Sequence, residues 1–408
     1  MAFLNIERQM PSEEALQIIT KELSKFSLVT EHYSVGDSLK TYHCKLIDLA
    51  NKRIFWGCGK GIGVQSQVSA TFEAYEHYLS YTVLTNKTHP QLKFMSCSQL
   101  ENFQELINLG LLPKEFGTKT QADSSLPWLR YENFRDQSDF YFPLFMVEPR
   151  YLDYDPFDED KFNYHSFQHL GSDSGTASGT SFVEAAIHGL NECVERDATS
   201  LFLLNTFIKK YPVSVVDKGT LPQPLQQYIQ VIEAEFADEL IIVNITSSIG
   251  IATFFASFSK QQLPMQPKGY GSSLYKSYAL ERAILEALQI RHLHNADLVE
   301  EEKRILKRFE PYPLLRQAAL ADLSEIIANK HYQLESFKII EEPSSMLSLE
   351  EQLEMIIRKI EAQGLIPRFS RLNNEDSSIS CLKVMVPQFD NFFLVSHGKF
   401  IMPNKRNY

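Results

Sequence analysis

Three stretches of this chain carry a narrow polar line at helical spacing, and together they constrain the fold more than anything else in it. In residues 172–196, SDSGTASGTSFVEAAIHGLNECVER, a Gly/Ser/Thr loop runs straight into an apolar segment. Glu184, His188, Glu192 and Glu195 follow at steps of four, four and three, which puts them on one helix face. Around them stand Phe182, Val183, Ala186, Ile187, Leu190, Cys193 and Val194. A helix apolar nearly all round is a buried helix. The four-then-three step recurs in Ser69, Glu73 and Glu76, after the glycine-rich run GCGKGIG at 57–63, and again in Arg282, Glu286 and Gln289.

Buried carboxylates do not gather unless something cationic neutralises them. On residues alone two readings stand open. Either these are three ordinary amphipathic helices with solvated acidic faces, or the three lines meet around Mg²⁺ and a nucleotide. Mg²⁺ prefers hard oxygen ligands, commonly a few carboxylates plus phosphate oxygens of a substrate. The loop at 172–181 offers hydroxyls and backbone N–H groups ahead of a helix, where anionic phosphate is favoured. Arg196 and Arg282 could pair with phosphate as planar forks. Lys60, in Gly-Lys-Gly, either reaches a phosphate or caps a turn. His188 reads as structural or catalytic, and Cys193, off the line, as core. Neither a Gly-x-x-x-x-Gly-Lys-Ser/Thr loop nor a kinase catalytic loop is present.

The rest of the chain limits the alternatives. A net charge of −11 over 408 residues makes a poor general nucleic-acid binder. Cys44, Cys58, Cys97, Cys193 and Cys381 are odd in number and widely spaced, with no Cys-x-x-Cys. That argues against a disulfide framework or structural zinc and fits a reducing compartment. The start, MAFLNIERQMPSEE, lacks the apolar core of a secretory signal. The longest uncharged run, 240–259, is rich in β-branched residues around Ser-Ser-Ile-Gly and predicts a hairpin, not a membrane helix. A cytoplasmic protein without membrane contact is expected.

Periodicity predicts helices over 65–80, 98–109, 223–236, 277–294, 298–309 and 347–363, besides the one after the central loop. Ser12 is expected to cap a first helix, and 298–309 to be charged and exposed. Strands are expected at 39–55 (two, around Asn51-Lys52-Arg53), 140–147, 213–216, 366–369 and 381–386. Residues 111–127, 153–160 and 260–271 read as loops. Helices and strands interleave, so the class is mixed α+β, with no boundary between independent domains.

In order along 59–291, Ser69-x-x-x-Glu73-x-x-Glu76, then Glu184-Ala-x-x-His188-Gly-Leu-x-Glu192-x-x-Glu195-Arg196-Asp197, then Arg282-Ala-x-x-Glu286 resemble the three ATP-site motifs of the YcaO family. The resemblance implies the YcaO fold, helices and mostly antiparallel sheets enclosing an ATP and Mg²⁺ site. It implies one catalytic unit over 1–408, with a motif-bearing core at about 57–295 and a C-terminal portion at about 296–408. Glu73, Glu76, Glu192, Glu195 and Glu286 would be Mg²⁺ ligands or their neighbours. Lys60, Ser69, Glu184, Arg196 and Arg282 would contact ATP, and Glu192, Glu195, Arg196 and Arg282 would act in catalysis.

The resemblance implies an enzyme that uses ATP to activate a peptide backbone amide: a nucleophile adds to the amide carbon, the oxygen is phosphorylated, and phosphate leaves. A neighbouring Cys, Ser or Thr as nucleophile gives an azoline ring, sulfide a thioamide and an amine an amidine. Azoline formation is the expected reaction, with a ribosomally made precursor peptide as substrate. A separate leader-binding, E1-like protein would recruit it, and a flavin-dependent dehydrogenase would be needed to oxidise the rings. A homo- or hetero-oligomer is expected. Three departures stand out. The first motif usually ends Glu-x-x-Glu-Arg, and here it ends Glu76-His77. Ser174 and Thr180 replace loop asparagines. The chain ends MPNKRNY, with a single proline where many azoline-forming members alternate prolines. That tail leaves open a thioamide or amidine product, or a scaffold that has lost turnover.

Overall fold

A computed structural model describes residues 6–118, 121–154, 157–260 and 262–403. Helix α1 (Ser12–Ser24) leads into strands β1 (Leu28–Val35), β2 (Thr41–Asp48) and β3 (Arg53–Gly59), an antiparallel three-stranded sheet. Helix α2 (Val64–Thr85) folds back over β3. The approach is close enough to demand glycine, because a Cβ on Gly59 would stand 1.7 Å from Ser66 O.

Next come β4 (Leu92–Ser96), α3 (Phe103–Asn108), β5 (Ser125–Asn133), β6 (Asp139–Pro143), α4 (Leu144–Val147) and β7 (Thr176–Gly179), followed by the long α5 (Phe182–Leu203). Then follow β8 (Val213–Asp217), α6 (Gln223–Phe236), the hairpin β9 (Leu240–Asn244) and β10 (Ala252–Phe258), β11 (Lys268–Ser273) and α7 (Lys276–Leu293). Helices α8 (Ala296–Arg308), α9 (Pro313–Leu320) and α10 (Ser324–Ala328) precede β12 (Tyr332–Ser336), α11 (Leu349–Glu361), β13 (Arg368–Arg371) and β14 (Ser380–Met385).

A second sheet runs β11-β10-β9-β8-β12, antiparallel except where β12 pairs with β8. The third runs β4-β5-β13-β14-β7, with β6 on β5. Each sheet carries one long helix: α2 on the first, α7 on β11 and β10, α5 on β14 and β7. Apolar side chains fill these seams, for example Ala279, Ala283 and Ala287 of α7 and Ala185, Ala186 and Leu190 of α5, all 0 % exposed. Among the described residues no helix is long and apolar enough to cross a membrane.

Several local expectations are corrected. Pro11, not Ser12, stands at the N-cap, and Ser12 Oγ instead donates to Gln65 Oε1 at 2.6 Å. Residues 140–147 are not one strand; the chain turns into α4 after Pro143, whose ring cannot donate to a sheet ladder. Part of the central loop is β7, paired with β14. Residues 268–271 belong to β11. In the acidic stretch 153–160, residues 155 and 156 lie outside the described residues. Asp160 there is buried, accepting from the Tyr151 and Tyr164 hydroxyls at 2.6 and 2.8 Å. Glu302 on α8 is held by His294 Nε2 at 3.1 Å and Met265 N at 3.2 Å.

Candidate active site

The polar lines of α2, α5 and α7 face one cavity of about 370 Å³. Lys60, Ser69, Glu73, Glu76, Glu184, Glu192, Glu195, Arg196, Arg282 and Glu286 all line it, as do His188 and Gln289. Of the two readings that periodicity left open, the geometry takes the one in which the lines meet.

Each helix is held in place by contacts with the neighbouring strands and loop. Ser181 caps α5, its Oγ accepting from Glu184 N at 3.1 Å. The Glu184 carboxylate turns back on the loop, accepting at Oε2 from Thr180 N at 2.9 Å and Thr180 Oγ1 at 2.7 Å. Thr180 is thus used in place of the loop asparagine. Glu76 ties α2 to β7, its Oε1 accepting from Ser178 N at 2.7 Å and Ser178 Oγ at 2.6 Å. On α7, a Cβ at Gly271 would meet Ala279 O at 2.1 Å, so this strand too lets its helix come close.

The charges are crowded. Burial pushes Glu73 up to about 7, and Glu192 and Glu286 add to it against Lys60 and a Cys58 N–H. Burial pushes Glu76 up to about 8, against its Ser178 hydrogen bonds. Glu195 is raised by burial and by Glu286. Glu286 differs: burial raises it, but Lys60, Arg196 and Arg282 outweigh that and hold it below the usual range. Lys60 Nζ pairs directly with Glu286 Oε2. Arg196 stands 3.7 Å from Glu192 Oε1 and 3.8 Å from Glu195 Oε1, ion-pair distances too long for hydrogen bonds. The Nε atoms of Arg196 and Arg282 are buried without hydrogen-bond partners among the described residues. Carboxylates driven toward protonation, beside arginines short of acceptors, would suit a divalent cation bound together with a polyanion. Among the described residues no three His, Cys, Asp or Glu side chains converge on a single metal position by themselves.

Two functional side chains escape periodicity. Arg8, ahead of α1, lines the cavity and donates from Nη1 to Glu184 Oε1 at 3.1 Å. Glu7 anchors that segment, its buried Oε1 accepting from Asn191 Nδ2 at 3.0 Å and Ser273 Oγ at 2.5 Å. A single Glu-Arg pair carries no period, so nothing in the sequence marks it. Arg150 also lines the cavity, from a turn outside all three motifs. His188 is half-buried in the cavity wall, and burial, then Arg282, Arg8 and Lys60, hold it well below its ordinary pKa. Its Nδ1 is buried without a hydrogen-bond partner among the described residues.

Fold and cavity together define an α+β protein with an acidic, arginine-lined pocket suited to a metal–nucleotide pair. The chain belongs to the YcaO family: the family model described as YcaO cyclodehydratase, ATP- and Mg²⁺-binding, matches residues 58–390. ATP and Mg²⁺ are its cofactors. An uncharacterised protein of Methanothermobacter thermautotrophicus is 27% identical over 349 residues, 82% of this chain and 81% of that protein. Among solved structures, YcaO from Methanopyrus kandleri bound with AMPPCP and Mg²⁺ is similar over 99% of this chain and 98% of its own, at 18% identity and TM-score 0.66. A heterocyclase in complex with substrate and cofactor gives the same TM-score of 0.66 at 18% identity, covering 94% of this chain. This chain spans about half of that protein, 52% of its length. The E. coli microcin synthetase McbBCD complex with pro-MccB17 bound matches 89% of this chain and 88% of its own, at 12% identity and TM-score 0.55.

Proposed function

We propose that this chain uses ATP to activate peptide backbone amides by O-phosphorylation. A neighbouring Cys, Ser or Thr side chain adds to the amide carbon, the oxygen takes the terminal phosphoryl group of ATP with release of ADP, and phosphate then leaves as the nitrogen loses its proton and the C=N bond of a thiazoline or oxazoline forms. The observation that carries the reading is the meeting of three polar helix lines, with their glutamates and with Arg196, Arg282 and Lys60, in one cavity. Glu73, Glu76, Glu192, Glu195 and Glu286 would hold Mg²⁺, with nucleotide phosphate and water completing its shell. Mg²⁺ held there would neutralise phosphate charge. Ser69, Glu184, Arg196, Arg282 and Lys60 contact the nucleotide. Arg196 and Arg282 also stabilise the charge that grows on the transferred phosphoryl group. The cavity would hold the amide oxygen against the terminal phosphate.

Substrate and partners follow the names of the similar structures, which include a substrate-bound heterocyclase and a synthetase complex with a pro-peptide. A ribosomally made precursor peptide, recruited by a leader-binding, E1-like subunit, is the proposed substrate, and a flavin-dependent dehydrogenase the proposed downstream partner. Residues Ile401, Met402 and Pro403 line a second cavity of about 360 Å³, and Arg196 lines both. This supports a role for the C-terminal end beside the reacting groups; residues 404–408 lie outside the described residues. In a second reading, sulfide or an amine attacks and the product is a thioamide or amidine.

Mass spectrometry of the treated peptide separates the outcomes. Loss of water marks an azoline, exchange of oxygen for sulfur a thioamide, and no change with no ATP turnover a scaffold. Glu192→Ala should abolish Mg²⁺-dependent ATP hydrolysis in the presence of peptide and partner. Glu300→Ala, on the exposed face of α8, should not.

A further inference from the structure

Arg196 lines both the ATP cavity and the second cavity, and the second leads on to a third of about 630 Å³. Leu111 and Pro387 line the second and the third alike. The second is walled mainly by apolar side chains, among them Phe142, Met146, Leu170, Val386 and Phe389. The third is mixed in charge: Lys93 and Arg368 line it, and so do Glu101, Glu105 and Asp139. Asp139 is paired with Arg130 at 2.7 Å, and the two cations lie over the rings of Tyr141 and Phe140, at 4.8 and 4.5 Å. Two cations against two remaining acids leave no net charge by which to select a ligand.

Strand β6 runs beside both outer cavities. Asp139, Phe140 and Tyr141 line the third, and Phe142 lines the second. Among the described residues β5 is the only strand paired with β6, so the other edge of β6 is open. The register shows which groups that edge presents. Arg130 of β5 donates its N–H to Gln91 O at 2.8 Å, on the β4 side. Tyr141, opposite Arg130, therefore belongs to a non-hydrogen-bonded pair and turns its N–H and C=O away from β5. Tyr141 is half-buried, and Asp139, in the same phase, is exposed.

We propose that the substrate peptide lies extended along the open edge of β6, adding a strand at Tyr141, and that the residue to be modified reaches Arg196 through the apolar second cavity. Main-chain pairing of this kind accepts many sequences, while pockets beside the edge sort alternate side chains. Neutral, apolar neighbours of the reacting amide suit the second cavity best. The inference rests on the amide-activation reading of the ATP cavity.

The probe is the peptide acetyl-Val-Gly-Val-Cys-Val-Gly-Val-amide, titrated into full-length protein loaded with Mg²⁺·AMPPCP, beside the same peptide N-methylated at alternate residues. The first should bind and slow hydrogen exchange at the Tyr141 N–H; the second should do neither. Tyr141→Pro removes the outward N–H and leaves the bonds to β5 in place. It should weaken the peptide about 3- to 10-fold, as loss of one hydrogen bond does. Tyr141→Ala, which keeps the N–H, should change it by less than about twofold. Met146→Trp, which fills the second cavity, should abolish peptide binding and leave Mg²⁺·AMPPCP binding as in wild type. If Tyr141→Pro does not fold, the N-methylated peptide makes the same test from the ligand's side. Equal binding of both peptides, or a Tyr141→Pro variant as tight as wild type, would overturn the strand addition, as would nucleotide-loaded wild type that binds neither peptide. Exchange at Tyr141 already slow without peptide would give the edge to a second copy of this chain or to residues 404–408, and would overturn it likewise. Wild type that does not bind Mg²⁺·AMPPCP would instead contradict the ATP reading itself.

Discussion

Glu73 and Glu76, with pKa values of about 7 and about 8, make the cavity sensitive to pH in a definite direction. Both are raised above the ordinary 4.5, so between about 4.5 and 8 the folded protein binds more protons than the unfolded chain. Their contribution to stability is fully present below the unfolded value and is lost as pH rises through the folded values. Metal-free protein should therefore lose thermal stability across that window. Glu76→Gln should flatten the loss, as read by unfolding midpoints against pH. Mg²⁺ needs the ionised forms, so its apparent affinity with AMPPCP should climb from pH 6 to pH 8.5, the opposite trend. The carboxylates were legible in the sequence because a helical period is local: four-then-three spacing places Glu73 beside Glu76 whatever else the chain does. Arg8 and Arg150 were not. Each is one residue from a non-periodic segment, delivered by tertiary packing alone.

At the scale of elements, each acidic line depends on how closely its helix lies on its strand. A methyl group at Gly271 would sit 2.1 Å from Ala279 O and 2.7 Å from Ala283 N, both backbone atoms that cannot swing aside. Gly271→Ala should cost about 1–3 kcal/mol, as overpacking does, and should weaken nucleotide binding by shifting Arg282 and Glu286 with α7. Denaturant unfolding beside nucleotide titration measures both. Long amphipathic helices such as α6 and α11, and the β9–β10 hairpin, were readable from pattern. The strands β1, β4, β5 and β12 were not, for reasons of pairing. β12 is specified by its parallel partner β8, more than a hundred residues earlier, and its own residues YQLES carry little apolar alternation. β7 is four residues of small side chains, TASG, and only its pairing with β14 makes it a strand.

Across the whole molecule, residues after 295 are woven into sheets begun much earlier. β12 extends the sheet of β8, while β13 and β14 sit between β5 and β7. Ending the chain at residue 295 would strip β14 from β7 and α5 and uncover residues they bury, such as Ala177, Ile187 and Leu190. Such a fragment should lack a cooperative unfolding transition by circular dichroism, and a folded fragment would show that the motif-bearing part is independent. Each of the three sheets carries one of the long helices α2, α5 and α7, and the polar lines of these helices face one cavity. That convergence is the central claim, and calorimetric titration of Mg²⁺·AMPPCP into wild type, Glu192→Ala and Glu300→Ala tests it most directly. The account predicts saturable binding that needs Mg²⁺, is lost in Glu192→Ala and is unchanged in Glu300→Ala. Wild-type binding that survives Glu192→Ala, or is absent altogether, would contradict it.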